Sequence, residues 1–340
     1  MQTVACTAIV AGIGGGVNPA AETDEPSAVE PDETAGEPQY VGECSPRDKP
    51  WDMHRADADD VARIYSADRE FESLAGRVSM CSYTLGFAWA ADTADPLALT
   101  LKLRRARFCR VRHCPICQWR RTLMWLARFL GALPKVFEKH PTARFLFLTL
   151  TLKNVPIGQL RITLAWMSKA WQRLVQRRQF GVVLGWIRTT ELTRADDGGA
   201  HPHFHVLLLV PSNYFTKNYV RQAVWTQMWR EALRADYDPI VDLRAVKGDV
   251  VRAARETLKY SVKPATMKAY PEWFKEMTRQ LRKLRFIASG GLLKDVLRPD
   301  EERDEDLLLL RNQEDSDEPP SVFFDWKCRE KRYKRNWLPR

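Results

Sequence analysis

Long apolar runs are missing from this 340-residue chain, since its strongest, Phe145 to Leu152 and Val206 to Val210, fall far short of the roughly 20 residues a membrane-spanning helix needs. A helical membrane protein is therefore excluded, and a soluble chain is expected. Cysteine is also scarce, seven residues in all, which excludes a disulfide scaffold. The mildly apolar stretch Val4 to Val17 lacks the positive n-region of a secretory signal. A reducing compartment, the cytoplasm, is the expected location.

Acidic charge is scarce where the chain is most basic. Residues 1–50 carry nine Asp/Glu against two Lys/Arg, and residues 300–318 carry ten against two. Residues 51–299 carry 42 basic and 22 acidic side chains, a net charge of +20. Such an excess, with abundant Trp and Arg, suits a polyanionic partner, although a basic surface kept soluble by charge is the plainer reading. Composition and motifs divide the chain into an acidic tail (1–50) expected to be disordered, a zinc-knuckle and helical region (51–143), a basic body (144–299), and an acidic linker with a basic aromatic tail (300–340).

Between the tails, strands and helices alternate. Residues 144–152 read as a half-buried strand, and residues 115–138 and 157–180 as amphipathic helices. Apolar runs 184–193 and 203–210 flank Asp197-Gly198-Gly199, the signal of a hairpin. A helix near 219–235, a short strand near 240–246 and a helix over 250–263 that Pro264 stops complete the pattern. The expected fold is α+β: a central antiparallel sheet carrying a His-x-His strand, flanked by helices, with a zinc-knuckle element before it.

Three of the six histidines stand in His201-Pro202-His203-Phe204-His205. On a strand, His203 and His205 share a face while Phe204 turns to the other, so the two imidazoles can converge on one cation, with His201 a further candidate beyond a bend at Pro202. Glu191, on the other hairpin arm, can complete a three-ligand site. Glu256, Tyr260 and Lys263, spaced four and three apart, share one face if the helix runs through them; a salt-bridged surface is the plainer alternative. Cys109, Cys114 and Cys117 have the spacing of a zinc half-site. Cys81 is preferred as fourth ligand over His113 and Cys44, and a redox C-x-x-C is the rival reading.

These segments together resemble plasmid rolling-circle replication initiators of the Rep family 1 type, single-tyrosine members of the HUH endonuclease superfamily. The resemblance rests on Phe108-Cys109-Arg110, Arg112 to Cys117 with Arg120-Arg121, Phe147 to Thr151, His201 to His205, and Glu256 with Lys259-Tyr260 and Lys263. It implies that His203 and His205 hold Mg²⁺ or Mn²⁺, and that Tyr260 attacks the scissile phosphodiester and keeps the 5′-phosphate. Glu256 would later activate water or assist the closing step, Lys263 would belong to the same catalytic group, and residues 144–299 would form the HUH-type nicking and DNA-binding domain. Arg110, Arg112, Arg120, Arg121 and Lys259 would contact DNA, and Zn²⁺ would be structural. The implied partners are a plasmid origin, single-stranded at the nick site within a hairpin, and a host helicase and polymerase in a bacterial cytoplasm. A transposase or relaxase of the same superfamily, and a non-catalytic zinc-containing DNA-binding regulator, are the competing expectations.

Overall fold

In chain order the elements are α1 (Val41–Cys44), α2 (Pro50–Ser66), α3 (Glu72–Ser79), β1 (Thr84–Ala91), β2 (Leu99–Ala106), α4 (Pro115–Lys139), β3 (Arg144–Thr151), α5 (Leu160–Val175), β4 (Gly185–Arg194), β5 (Ala200–Val210), α6 (Gln222–Leu233), β6 (Val241–Ala245), α7 (Val250–Leu258), α8 (Pro264–Ala269), α9 (Pro271–Gln280), β7 (Ile287–Gly291), β8 (Val322–Lys327) and β9 (Arg332–Asn336). They belong to a computed structural model that describes residues 39–91, 99–259, 262–294, 296, 307–308 and 319–336. Among these, no helix is long and apolar enough to cross a membrane.

Two antiparallel sheets form, as an α+β fold requires. The larger has the order β6-β3-β5-β4-β7 and the smaller β2-β1-β8-β9. β5 is the centre of the larger sheet, paired along its length with β3 and β4. That position explains its composition: a strand covered on both faces reads as a continuous apolar run rather than an alternating one. Phe204, Val206 and Leu208 pack with Leu164, Met167 and Trp171 of α5 and Trp229 of α6. Leu207 and Leu209 point to the opposite layer, with Phe129 and Leu133 of α4 and Ala254 and Leu258 of α7. By the alternation of the strand, His203 and His205 lie on the α4/α7 side.

The β4–β5 turn behaves as its composition predicts. Gly198 adopts φ +83°, and the Asp197 carboxylate accepts from the Gly199 amide at 2.8 Å. A Cβ on Gly199 would stand 2.7 Å from the Val155 carbonyl oxygen, so the chain closes there only around glycine. Pro202, expected to bend the strand, stays in the ladder opposite Leu192.

Several expectations need correction. The part of the expected acidic tail from Val41 is helical: Val41 and Trp51 are buried, and Tyr40 bridges to Lys334. The basic aromatic end is not a loose tail, because β8 pairs with β1 and β9 with β8, burying Phe324, Trp326 and Tyr333. Residues 1–38 and, apart from Leu307 and Leu308, residues 300–318 lie outside the described residues.

The helix expected over 250–263 ends at Leu258, and Lys259 is extended (ψ 175°). Its last carbonyls find side-chain partners, which is how a helix end is satisfied: Thr189 of β4 donates to the Thr257 carbonyl and Thr122 of α4 to that of Leu258. Pro264 also disfavours helical backbone before it, and Lys263 is extended, opening α8. Glu256 and Lys263 therefore do not lie on one continuous helix, and Tyr260, expected to share their face, lies outside the described residues.

Candidate functional site

Glu191 stands opposite His203 in the β4–β5 ladder, with Thr189 opposite His205. One Glu191 oxygen, Oε2, lies 2.8 Å from His205 Nε2 and 3.6 Å from His203 Nε2. The ligand atoms of Glu191, His203 and His205 all fall within 4.8 Å of one another. Each imidazole is steered from its far side, the arrangement that fixes a metal-ligating histidine. His203 Nδ1 is 3.3 Å from the His201 carbonyl oxygen, and His205 Nδ1 is 3.3 Å from the Thr149 hydroxyl.

The tautomer of His203 follows from its partner. A carbonyl oxygen only accepts, so Nδ1 carries the proton and a neutral ring presents the Nε2 lone pair to a carboxylate. A proton on that Nε2 makes it a donor to Glu191; without one, the two acceptors repel unless a cation lies between them. Burial alone would raise the Glu191 carboxyl, but the hydrogen bonds from His203 and His205 and the Lys259 ammonium, 3.3 Å away, outweigh it and hold the group well below the usual carboxylate range. A charged carboxylate with two oriented imidazoles fits a divalent ion, and ligand type alone allows Mg²⁺, Mn²⁺ or Zn²⁺.

Lys259, expected only as a DNA contact, reaches into this group and also pairs with Glu256. Burial opposes its charge, yet the carboxylates of Glu256 and Glu191 raise its pKa, so it remains an ammonium. Glu256 is exposed and held one helical turn before it. His201 does not join the converging atoms: its Nδ1 meets the Asn154 side-chain oxygen at 2.9 Å. Lys263 is exposed beyond the break in the helix. Tyr260 follows Lys259 in sequence and lies outside the described residues.

The second group is thiolate. Cys81 follows α3, Cys109 follows β2, and Cys114 and Cys117 begin α4. The four sulfurs lie within 4.8 Å of one another, with Cys117 Sγ 3.6 Å from those of both Cys81 and Cys109. Zn–S bonds of about 2.3 Å give a tetrahedron with edges of about 3.8 Å, close to these separations. Burial raises the Cys114 thiol and the three neighbouring sulfurs raise it further, so a cation is what would let all four become thiolates. His113 is fully buried and edge-on to Phe274 at 5.7 Å. Burial, then Arg112 and Arg121, lower it to about 3, so it is neutral.

Of the expected DNA contacts, Arg110 is exposed at the turn after Cys109, and Arg112 and Arg121 are half-buried beside it. Arg120 is a correction. It is 6% exposed, its guanidinium lies 5.3 Å from the ring centres of both Trp51 and Trp119, and its Nε donates to the Leu307 carbonyl at 2.7 Å. It holds the core together. Sequence reasoning missed Thr149 and Asn154, whose signal was polar residues breaking or following an apolar strand.

Fold and site define an α+β protein with, among the described residues, two separate groups able to hold a metal ion, one of four cysteines and one of two histidines and a carboxylate. The chain belongs to the Rep family 1 replication proteins: the family model described as "Replication protein" matches residues 100–334. It is 33% identical over 259 residues to a "Protein rep" of Streptococcus pneumoniae, covering 74% of this chain and 79% of that one. A "Protein rep" of Lactiplantibacillus plantarum is 38% identical over 213 residues, 58% of this chain and 67% of its own. A Staphylococcus aureus "Replication protein" is 34% identical over 219 residues, covering 58% and 93%. No solved structure matches the chain.

If the two imidazoles are ligands rather than core, His203→Ala with His205→Ala should abolish activity that depends on a divalent ion while the far-UV spectrum stays unchanged, because β3 and β4 hold the strand on both sides. Unfolding of the double variant, or full activity, would contradict the metal centre.

Proposed function

We propose that this protein is a plasmid replication initiator that nicks one strand at its origin. In that reaction the Tyr260 phenolate oxygen bonds to the scissile phosphorus as the bond to the 3′ oxygen breaks, leaving a 5′-phosphotyrosine and a free 3′-OH. The observation that carries the reading is the convergence of Glu191, His203 and His205 on one face of β5, with the Lys259 ammonium 3.3 Å from the carboxylate. A bound divalent ion would supply charge stabilisation at a non-bridging phosphate oxygen.

The chain's own groups would do the rest. Lys259 adds a fixed positive charge next to the nucleophile in sequence, favouring phenolate over phenol. The basic surface draws in a single strand. The 3′-OH would prime a host polymerase, with a host helicase opening the duplex. Ordered, convergent histidines weigh against a purely DNA-binding regulator, and the family match weighs against a transposase or relaxase. Nicking of a supercoiled plasmid bearing the cognate origin, dependent on divalent ion and leaving protein on the 5′ end, tests the reading; binding without nicking would overturn it.

Glu256 separates initiation from termination. The enzyme must cleave a regenerated origin after one round, and a carboxylate paired with Lys259, the residue that precedes Tyr260 in sequence, can activate the water that does so. Glu256→Ala should form the Tyr260 adduct at the wild-type rate yet release few small circles from a two-origin plasmid. Equal circle yields would reduce Glu256 to a surface partner of Lys259, a pair worth little to folding.

A further inference from the structure

Next to the Glu191 group lies a cleft of about 260 Å³, into which Thr189 and Lys259 also project. α4, the loop leading into it and the segment just before β7 form its walls, which carry Arg110, Arg112, Arg121 and Arg285 and, among the described residues, no carboxylate. Arg112 is anchored: it donates to the Leu284 carbonyl, and its guanidinium lies 4.5 Å from the Phe286 ring centre. Burial, then Arg121, lower it only to about 10, so it is a cation at neutral pH. The cysteine group builds this wall, because Arg110 and Arg112 stand between Cys109 and Cys114 and Gln118 directly follows Cys117.

Gln118 lines the cleft and is 7% exposed. Among the described residues neither its amide oxygen nor its amide nitrogen has a hydrogen-bond partner, and the indole Nε1 of Trp125, two turns further along the same wall, has none either. An unsatisfied buried polar group costs about 1–3 kcal/mol. Among the described residues nothing satisfies it, whereas a ligand in the cleft could. A carboxamide presents an acceptor beside donors, the complement of a nucleobase edge. The arginines match phosphate, and the Arg112–Phe286 pair offers a flat face for stacking.

We infer that this cleft receives one unpaired nucleotide of the strand being cut, immediately beside the scissile phosphate, with Gln118 reading its base. The inference rests on the nicking reading above and assigns base selectivity to a residue outside the metal centre. Lys259 connects the two, lining the cleft while touching Glu191.

The test uses the full-length protein and a pool of single-stranded oligonucleotides randomised at the positions flanking the nick, sequenced after covalent capture and, separately, after non-covalent retention on a filter. Wild type should prefer one base about tenfold or more at one position next to the nick. Gln118→Leu should flatten the preference at that position alone, with the preferences at every other position as in the wild type. Gln118→Met, unbranched like glutamine, serves if the leucine variant folds poorly. Unchanged preferences at every position would overturn the inference, as would tight binding of free deoxynucleoside monophosphates with strand selectivity unaffected by the variant. Absence of covalent capture by wild type would count against nicking itself, and the retained pool would then still decide whether Gln118 selects a base.

Discussion

Tyr260→Phe should abolish nicking and the covalent protein–DNA adduct while origin binding stays within about twofold of wild type. The substitution keeps the ring and removes only the oxygen that would bond to phosphorus. Loss of a covalent nucleophile lowers turnover by three or more orders of magnitude, because the remaining binding and electrostatic groups cannot supply the missing bond. Gel-shift titration and covalent capture on denaturing gels separate the two properties. If the variant still forms an adduct, the nucleophile lies elsewhere. Tyr219 and Tyr270, 58% and 44% exposed, would then be the residues to replace, with Tyr270 lying beneath the Arg194 guanidinium at 3.9 Å.

Removing the thiolate ion should unfold more than a loop. The four cysteines tie the end of α3, the end of β2 and the start of α4 to one point, and α4 continues from there into the layer that faces His203 and His205. Zinc in such sites supplies roughly 10–16 kcal/mol of apparent folding free energy, more than the whole stability of an ordinary domain. Cys117→Ser, which removes the sulfur nearest to both Cys81 and Cys109, should therefore lose the metal, melt far below wild type, and lose origin binding and nicking together. Elemental analysis should find about one zinc per chain in the wild type. Zinc-free protein that binds its origin normally would refute the assignment.

Much of the site was legible because its chemistry is local. His203 and His205 share a face through the two-residue period of a strand, and Asp197-Gly198-Gly199 fixed the hairpin that brings Glu191 opposite His203. Cys81 was found from the need for a fourth ligand, although 28 residues of sequence separate it from Cys109. What failed was long-range. Periodicity carried the helix past Leu258, because the hydroxyls of Thr122 and Thr189 that take its last carbonyls come from α4 and β4. The resemblance placed Arg120 among the DNA contacts, because nothing local shows that Trp51 and Trp119 enclose it. The final strands read as a tail because their partner, β1, lies more than 200 residues earlier.

The central claim is that one residue of this chain becomes covalently joined to the 5′ end of its plasmid's nicked strand. Reacting the purified protein with a supercoiled plasmid carrying the origin, with and without divalent ion, then digesting both components and sequencing the nucleotide-bearing peptide by mass spectrometry, tests it directly. The expected product is a single peptide carrying a 5′-phosphonucleotide on Tyr260, formed only with the ion and absent from the His203→Ala/His205→Ala protein. An unmodified chain beside intact supercoiled plasmid, or an adduct on any residue other than Tyr260, would contradict it.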